Sequence, residues 1–151
     1  MRVFRLCRQR YAELTGFGAK KTGGRWNRRG IAALYAAENA SLTVLEVLVH
    51  LDRGELPMDY VLLEISVPDL GLVYIADQRD ERLESLYQDG PLRLGEGSIG
   101  FSVPSFVVPQ DRVVVLYPEI AGASLAIERM TPFAFDRRLF FPPRNSGLVQ
   151  S

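Results

Sequence analysis

The chain has 151 residues, 47% hydrophobic and 24% charged, enough for one domain with a sizeable core. Eighteen Lys and Arg balance eighteen Asp and Glu, which argues against a general nucleic-acid binder with its usual basic excess. One cysteine, Cys7, excludes an intrachain disulfide and a multi-cysteine zinc site, and one histidine, His50, excludes a multi-histidine metal site.

In chain order, Val3-Phe4-Arg5-Leu6 reads as a short first strand, with Arg5 in an apolar setting where an inward-facing guanidinium needs an anion. The segment around it has no apolar stretch of signal-peptide length, and no run approaches membrane-spanning length, so a cytoplasmic protein without a membrane partner is expected. Residues 15–30 form a loop punctuated by Gly16, Gly18, Gly23, Gly24 and Gly30. Leu14 to Ala37 holds no Asp or Glu but carries Lys20, Lys21, Arg25, Arg28 and Arg29. Ile31–Ala37 is an apolar run with the pattern of a buried strand. Asn39 is an N-cap for a helix reaching about Leu51, before Gly54 and Pro57. Its stripes Leu42/Leu45/Val49 and Val44/Leu48/Leu51 predict burial on most sides, with Glu46 pointing into protein.

Tyr60–Val67 alternates as a strand and stops at Pro68, and Asp80–Asp89 reads as a short polar helix. Residues 90–102 are glycine-rich and give no clear element. Ser105–Val108, Arg112–Tyr117 and Ser124–Met130 read as strands, and residues 142–151 as a flexible tail after a domain spanning 1–141. Strands gathered toward both ends, with helices between, indicate a single α+β domain.

Five side chains stand out chemically. Arg25 follows two glycines, a setting for close approach to phosphate, although a surface arginine in a flexible loop reads the same way. Glu46 lies on an otherwise apolar helix, where a carboxylate either forms a structural ion pair or stabilises a developing positive charge; Arg25 is the nearest obvious cation. Tyr35 ends an apolar run, as core or as a stacking ring with a polar handle. Ser105 fits a turn or strand start as well as a site, and Arg5 is the inward candidate above. Trp26 reads as packing that anchors the loop, and His50 as a structural residue at a helix C-terminus.

The segments Gly24-Arg25-Trp26, Tyr35-Ala36-Ala37, Leu45-Glu46-Val47-Leu48-Val49-His50-Leu51, Val103-Pro104-Ser105 and Asp136-Arg137-Arg138-Leu139-Phe140 resemble the RES domain. This is the toxin half of bacterial Xre-RES toxin-antitoxin modules, named after its Arg, Glu and Ser. The resemblance runs from Arg5 to Phe140. It implies a split mixed sheet with helices, similar to ADP-ribosyltransferases of the diphtheria-toxin type, and NAD as substrate without a metal. By position it assigns Glu46, Arg25, Tyr35 and Ser105 to catalysis, and Arg5, Arg25, Tyr35 and Ser105 to NAD binding. It implies a type II toxin that consumes NAD by hydrolysis or phosphorolysis. It also implies a small Xre-type helix-turn-helix antitoxin as partner in a hetero-oligomer.

Where RES domains usually carry an Asn-Tyr-Leu-(apolar)-Asn-Pro strand, this chain has Val113-Val114-Val115-Leu116-Tyr117-Pro118, without either asparagine. The middle segment is also short and lacks the usual tryptophan-bearing pieces. The residues suit the implied chemistry, because cleaving the nicotinamide-ribose bond passes through an oxocarbenium-like centre that a carboxylate stabilises. Nicotinamide leaves readily, since the ring is cationic while bound. Two alternatives come with this reading: a mono-ADP-ribosyltransferase that modifies a protein acceptor of nucleotide metabolism, and a nucleic-acid-binding module using the 20–29 loop. Zero net charge disfavours the latter. A degenerate protein that only sequesters its antitoxin fits poorly with Arg25, Tyr35, Glu46 and Ser105 all present.

Overall fold

A computed structural model describes residues 1–141, so the expected tail at 142–151 lies outside the described residues. The run Val113-Val114-Val115-Leu116 is apolar at every position and forms the centre of β6 (Arg112–Leu116), which is buried on both faces. Around it a seven-stranded mixed sheet is assembled in the order β4-β5-β6-β2-β1-β3-β7. The other strands are β1 (Arg2–Arg8), β2 (Leu34–Ala37), β3 (Tyr60–Ser66), β4 (Leu72–Tyr74), β5 (Gly100–Pro104) and β7 (Ala126–Phe133). Only β4 and β5 pair in parallel; every other neighbouring pair is antiparallel. With α1 (Phe17–Thr22), α2 (Ala40–Leu48), α3 (Arg82–Asp89) and α4 (Pro118–Ala121), the architecture is the expected α+β domain.

Alternation along β6 divides the core. Val114 and Leu116 join Val3, Leu63 and Ile65 in one cluster, whereas Val113 and Val115 join Leu42, Phe101 and Val103, with Leu83 and Leu86 of α3, in another. A third cluster closes the domain. Phe135 packs edge-on against Tyr60, Phe133 and Phe140 at centroid distances of 5.3, 5.1 and 5.5 Å. Asp136 opens the 3-10 turn Arg137–Leu139 by accepting a hydrogen bond from the Arg138 amide at 2.9 Å, which sets Phe140 into that cluster.

The sheet is nearly severed in the middle. β1 and β2 share a single pair, Phe4 with Ala37, while β1 pairs with β3 along its whole length and β2 with β6 at every residue. Helix α2 lies against both β1 and β2 and so bridges the split. It starts at Asn39 as expected, whose side chain accepts the Leu42 amide at 2.8 Å. Its burial differs from the expectation. Leu42, Thr43 and Leu48 are buried, but Leu45 and Val49 are 36% and 53% exposed, so the predicted Leu42/Leu45/Val49 stripe is buried only at Leu42 and Glu46 is only half-buried.

Other elements differ for physical reasons. The 15–30 loop contains α1, six residues long and too short to show a period. Short β4 and α4 were likewise not expected. In the glycine-rich stretch, Phe101 and Val103 bury alternately as β5. Ser105–Val108 is a turn rather than a strand, because the Ser105 hydroxyl accepts the Val107 and Val108 amides at 2.9 and 3.0 Å.

Candidate active site

The Gly23–Asn27 loop is held from beneath. Gly23 has φ +75°, the left-handed region that favours glycine, and ends α1. Gly24 passes so near Tyr35 that a Cβ there would lie 2.8 Å from the phenol oxygen. Asn27 is completely buried, and its side-chain amide donates to the carbonyls of Ala19 and Ile31, both at 2.9 Å. The Tyr35 hydroxyl donates to Asn27 Oδ1 at 2.6 Å and accepts the Trp26 amide at 2.9 Å. Burial pushes the Tyr35 phenol up to about 12, against the opposing effects of these contacts and of nearby Arg25. Tyr35 therefore spends its hydroxyl on fixing the loop.

Arg25 stands exposed at the tip of this braced loop. Its guanidinium lies over the Phe106 ring at 4.2 Å, and Trp26 stacks on the same ring at 5.9 Å with planes 18° apart. Trp26 thus anchors the loop as expected, through Phe106, a residue for which the sequence offered no periodic or motif signal. Asn27 was equally unforeseen as a loop organiser, although its place in the Gly-Gly-Arg-Trp-Asn run was the available clue.

Glu46 does not meet Arg25. The carboxylate Oε1 accepts the Ser105 hydroxyl at 2.5 Å, and among the described residues Glu46 forms no salt bridge. Ser105 is 1% exposed, so its oxygen, held by two turn amides, is a fixed donor that sets the carboxylate's position. The anticipated Arg25–Glu46 ion pair is replaced by a hydroxyl-carboxylate contact. The arginine and the carboxylate line one cavity without pairing.

That cavity has two lobes. The first, about 860 Å³, brings together Arg25, Trp26, Tyr35, Glu46, Ser105 and Phe106. The second, about 970 Å³, contains Arg5. Ala19, Thr22, Tyr35, Glu46, His50 and Val113 line both lobes and mark their junction. Four of the five expected site residues therefore converge on one lobe, and Arg5 lines the other together with Glu46 and Tyr35. The anion anticipated for Arg5 is a neutral acceptor instead. Its Nη1 donates to the Tyr11 carbonyl at 3.1 Å and lies 3.1 Å from Cys7 Sγ. Burial raises the Cys7 thiol, with Arg5 acting in the opposite direction.

His50 sits in the turn after α2, as a helix-end residue should, but it also faces the cavity. At the positions where asparagines were absent, Val113 gives the junction an apolar wall, and Tyr117 is fully buried. The Tyr117 hydroxyl has no partner among the described residues, and its burial holds the phenol well above its ordinary range. Among the described residues no group of three or more His, Cys, Asp or Glu is placed to hold a metal ion. No described helix is long and apolar enough to cross a membrane.

The arrangement offers a cation over an aromatic platform, a positioned carboxylate, and space on both sides of that carboxylate. The RES domain family profile matches residues 2–137. A "Toxin Res" of Yersinia enterocolitica is 33% identical over 151 residues, covering 92% of this chain and 99% of its own length. A "Prs ADP-ribosylating toxin" of Sphingobium is 33% identical over 141 residues, covering 84% and 86% of the two chains. The crystal structure of the Mycobacterium tuberculosis MbcT-MbcA toxin-antitoxin complex contains a chain of like fold, with a TM-score of 0.64 at 20% identity over 88% of this chain and 84% of that one.

Proposed function

The chain belongs to the RES-domain family, and from that premise we propose that it is the toxin of a toxin-antitoxin pair and an enzyme that cleaves NAD at the nicotinamide-ribose bond. The observation that carries the reading is the carboxylate of Glu46, fixed by Ser105 Oγ at 2.5 Å and lining one cavity with Arg25. A relative of comparable length is named an ADP-ribosylating toxin, which supports this reading.

In this reading Arg25 meets the diphosphate of NAD, and the flat Trp26–Phe106 pair offers an aromatic surface at the same lobe. As the bond to nicotinamide lengthens, positive charge grows on the ribose. Glu46 stabilises it without having to reorganise, because Ser105 already holds Oε1. Oε2 has no hydrogen-bond partner among the described residues and is free to take a ribose hydroxyl. The leaving ring departs neutral, so none of these side chains has to donate a proton. Arg5 approaches the junction from the second lobe and brackets the substrate with positive charge. The domain responsible is residues 1–141, and the setting is cytoplasmic, where NAD is present.

An enzyme that destroys NAD needs restraint in its own host. The partner proposed is a small helix-turn-helix antitoxin of the Xre type that covers the cavity mouth and meets Arg25 with a polar or negative group. The test is to follow labelled NAD incubated with the purified protein, with and without phosphate and cell lysate, while the chain is expressed alone and with its genomic neighbour. The proposal requires nicotinamide release in vitro and growth arrest relieved by the neighbour. A chain that cleaves NAD but is harmless at high expression would instead serve housekeeping NAD metabolism.

A further inference from the structure

The second lobe is walled by Arg5, Arg8, Arg10 and Lys21, and the exposed rings of Tyr11 and Phe17 stand at its rim. Among the described residues none of these four cations forms a salt bridge, whereas Lys20 pairs with Glu119 and Arg93 with Asp89. Arg10 rests only on the Tyr11 ring, 4.9 Å away. Two acids share the lobe: Glu13, which accepts the Thr15 hydroxyl, and Glu46, which accepts the Ser105 hydroxyl, so the four cations remain in excess. A concave wall with an excess of positive charge concentrates anions, and aromatic faces beside it favour an anion that carries a planar ring. A phosphate monoester of a nucleoside combines the two.

The lobe's position gives such a ligand a role. Both lobes meet at Glu46. A ribose held there with its leaving ring in the first lobe turns the opposite face of its anomeric carbon to the second. Resting on the NAD-cleavage reading above, we propose that the second lobe is the acceptor site and takes a nucleoside monophosphate. A phosphate oxygen of the dianion forms the new bond to the anomeric carbon. The carbon–nitrogen bond to nicotinamide breaks, and its electron pair neutralises the ring nitrogen. The products are neutral nicotinamide and an ADP-ribosyl phosphodiester with one negative charge on the new linkage. No proton, oxidant or reductant takes part.

The experiment supplies NAD together with uridine monophosphate, which lacks the adenine that NAD itself carries, and detects the ADP-ribosyl adduct by mass spectrometry. Parallel arms contain uridine, inorganic phosphate or a phosphorylated dinucleotide. The expected result is an adduct with uridine monophosphate and none with uridine. Joint Arg10→Ala and Lys21→Ala substitution should lower adduct yield at least about tenfold relative to the free ADP-ribose formed in the same reaction. Free ADP-ribose as the sole product, adduct with inorganic phosphate alone, a dinucleotide that reacts at least about tenfold faster, or a yield indifferent to both substitutions overturns the proposal. Calorimetry of uridine monophosphate binding without NAD separates the two readings. If the parent protein cleaves no NAD, the cleavage reading fails, and binding weakened about tenfold by the double substitution still establishes the anion site. Absent binding removes the site as well.

Discussion

Ser105 lies 59 positions from Glu46 in sequence and touches its carboxylate in space. A serine with its oxygen held by two backbone amides is a poor mobile nucleophile but a good fixed donor. Its role in this account is to aim Glu46. Among the described residues Arg25 has no comparable restraint from a carboxylate, only the face of Phe106, which in this account leaves its charge to the substrate. Arg25→Ala should weaken NAD binding by at least about tenfold in calorimetry, as expected for a lost charge-assisted contact. Arg25→Lys should restore only part of it, because lysine lacks the bidentate fork; unchanged affinity in Arg25→Ala would remove the arginine from the site. Tyr35→Phe tests the loop brace. It leaves buried Asn27 Oδ1 and the Trp26 amide short of a partner, so thermal or urea unfolding should show a loss of about 1–3 kcal/mol, accompanied by weaker NAD binding. Arg25, Tyr35 and Glu46 drew notice against an apolar or glycine-rich background, whereas Ser105 reads as a turn or strand-start serine and became a candidate through the RES resemblance. Neither signal showed that Ser105, rather than Arg25, would meet Glu46, since that contact depends on where two distant elements cross.

At the scale of elements, the second lobe lies where β1 and β2 part after one shared pair, and residues of both strands and of α2 line it. The start of α2 was legible in Asn39, and β6 in its unbroken apolar run. The outward turn of Leu45 and Val49 was not legible, because helical periodicity shows which residues share a face but not whether that face meets protein or the mouth of a cleft. The Ser105–Val108 segment misled for a local reason. Two valines after a phenylalanine look like a strand until the serine hydroxyl takes their amides. The closing segment is held by aromatic packing, and Phe140→Ala should cost about 3–5 kcal/mol in urea unfolding. A loss under about 1 kcal/mol would mean that the segment is not integral to the domain.

The whole molecule couples its stability to alkaline pH through its buried phenols. Tyr35 is pushed up to about 12 and Tyr117 is raised too, so the folded state keeps protons that the unfolded chain releases at about pH 10. Their stabilising contribution is therefore complete below about pH 10 and declines as the pH rises through the folded-state values. The urea midpoint should fall above about pH 10, less steeply in Tyr35→Phe than in the parent. Equal slopes would exclude Tyr35 as a contributor. The same compact chain is proposed to place one aimed carboxylate between two lobes of positive character and thereby break the bond to nicotinamide. The most direct test is the rate of nicotinamide release from NAD by purified parent protein and by Glu46→Gln, with folding of both verified by circular dichroism. The account predicts measurable release by the parent and a rate lower by about 100-fold or more in Glu46→Gln. A folded Glu46→Gln protein that releases nicotinamide at the parental rate, or a parent that releases none, would contradict it.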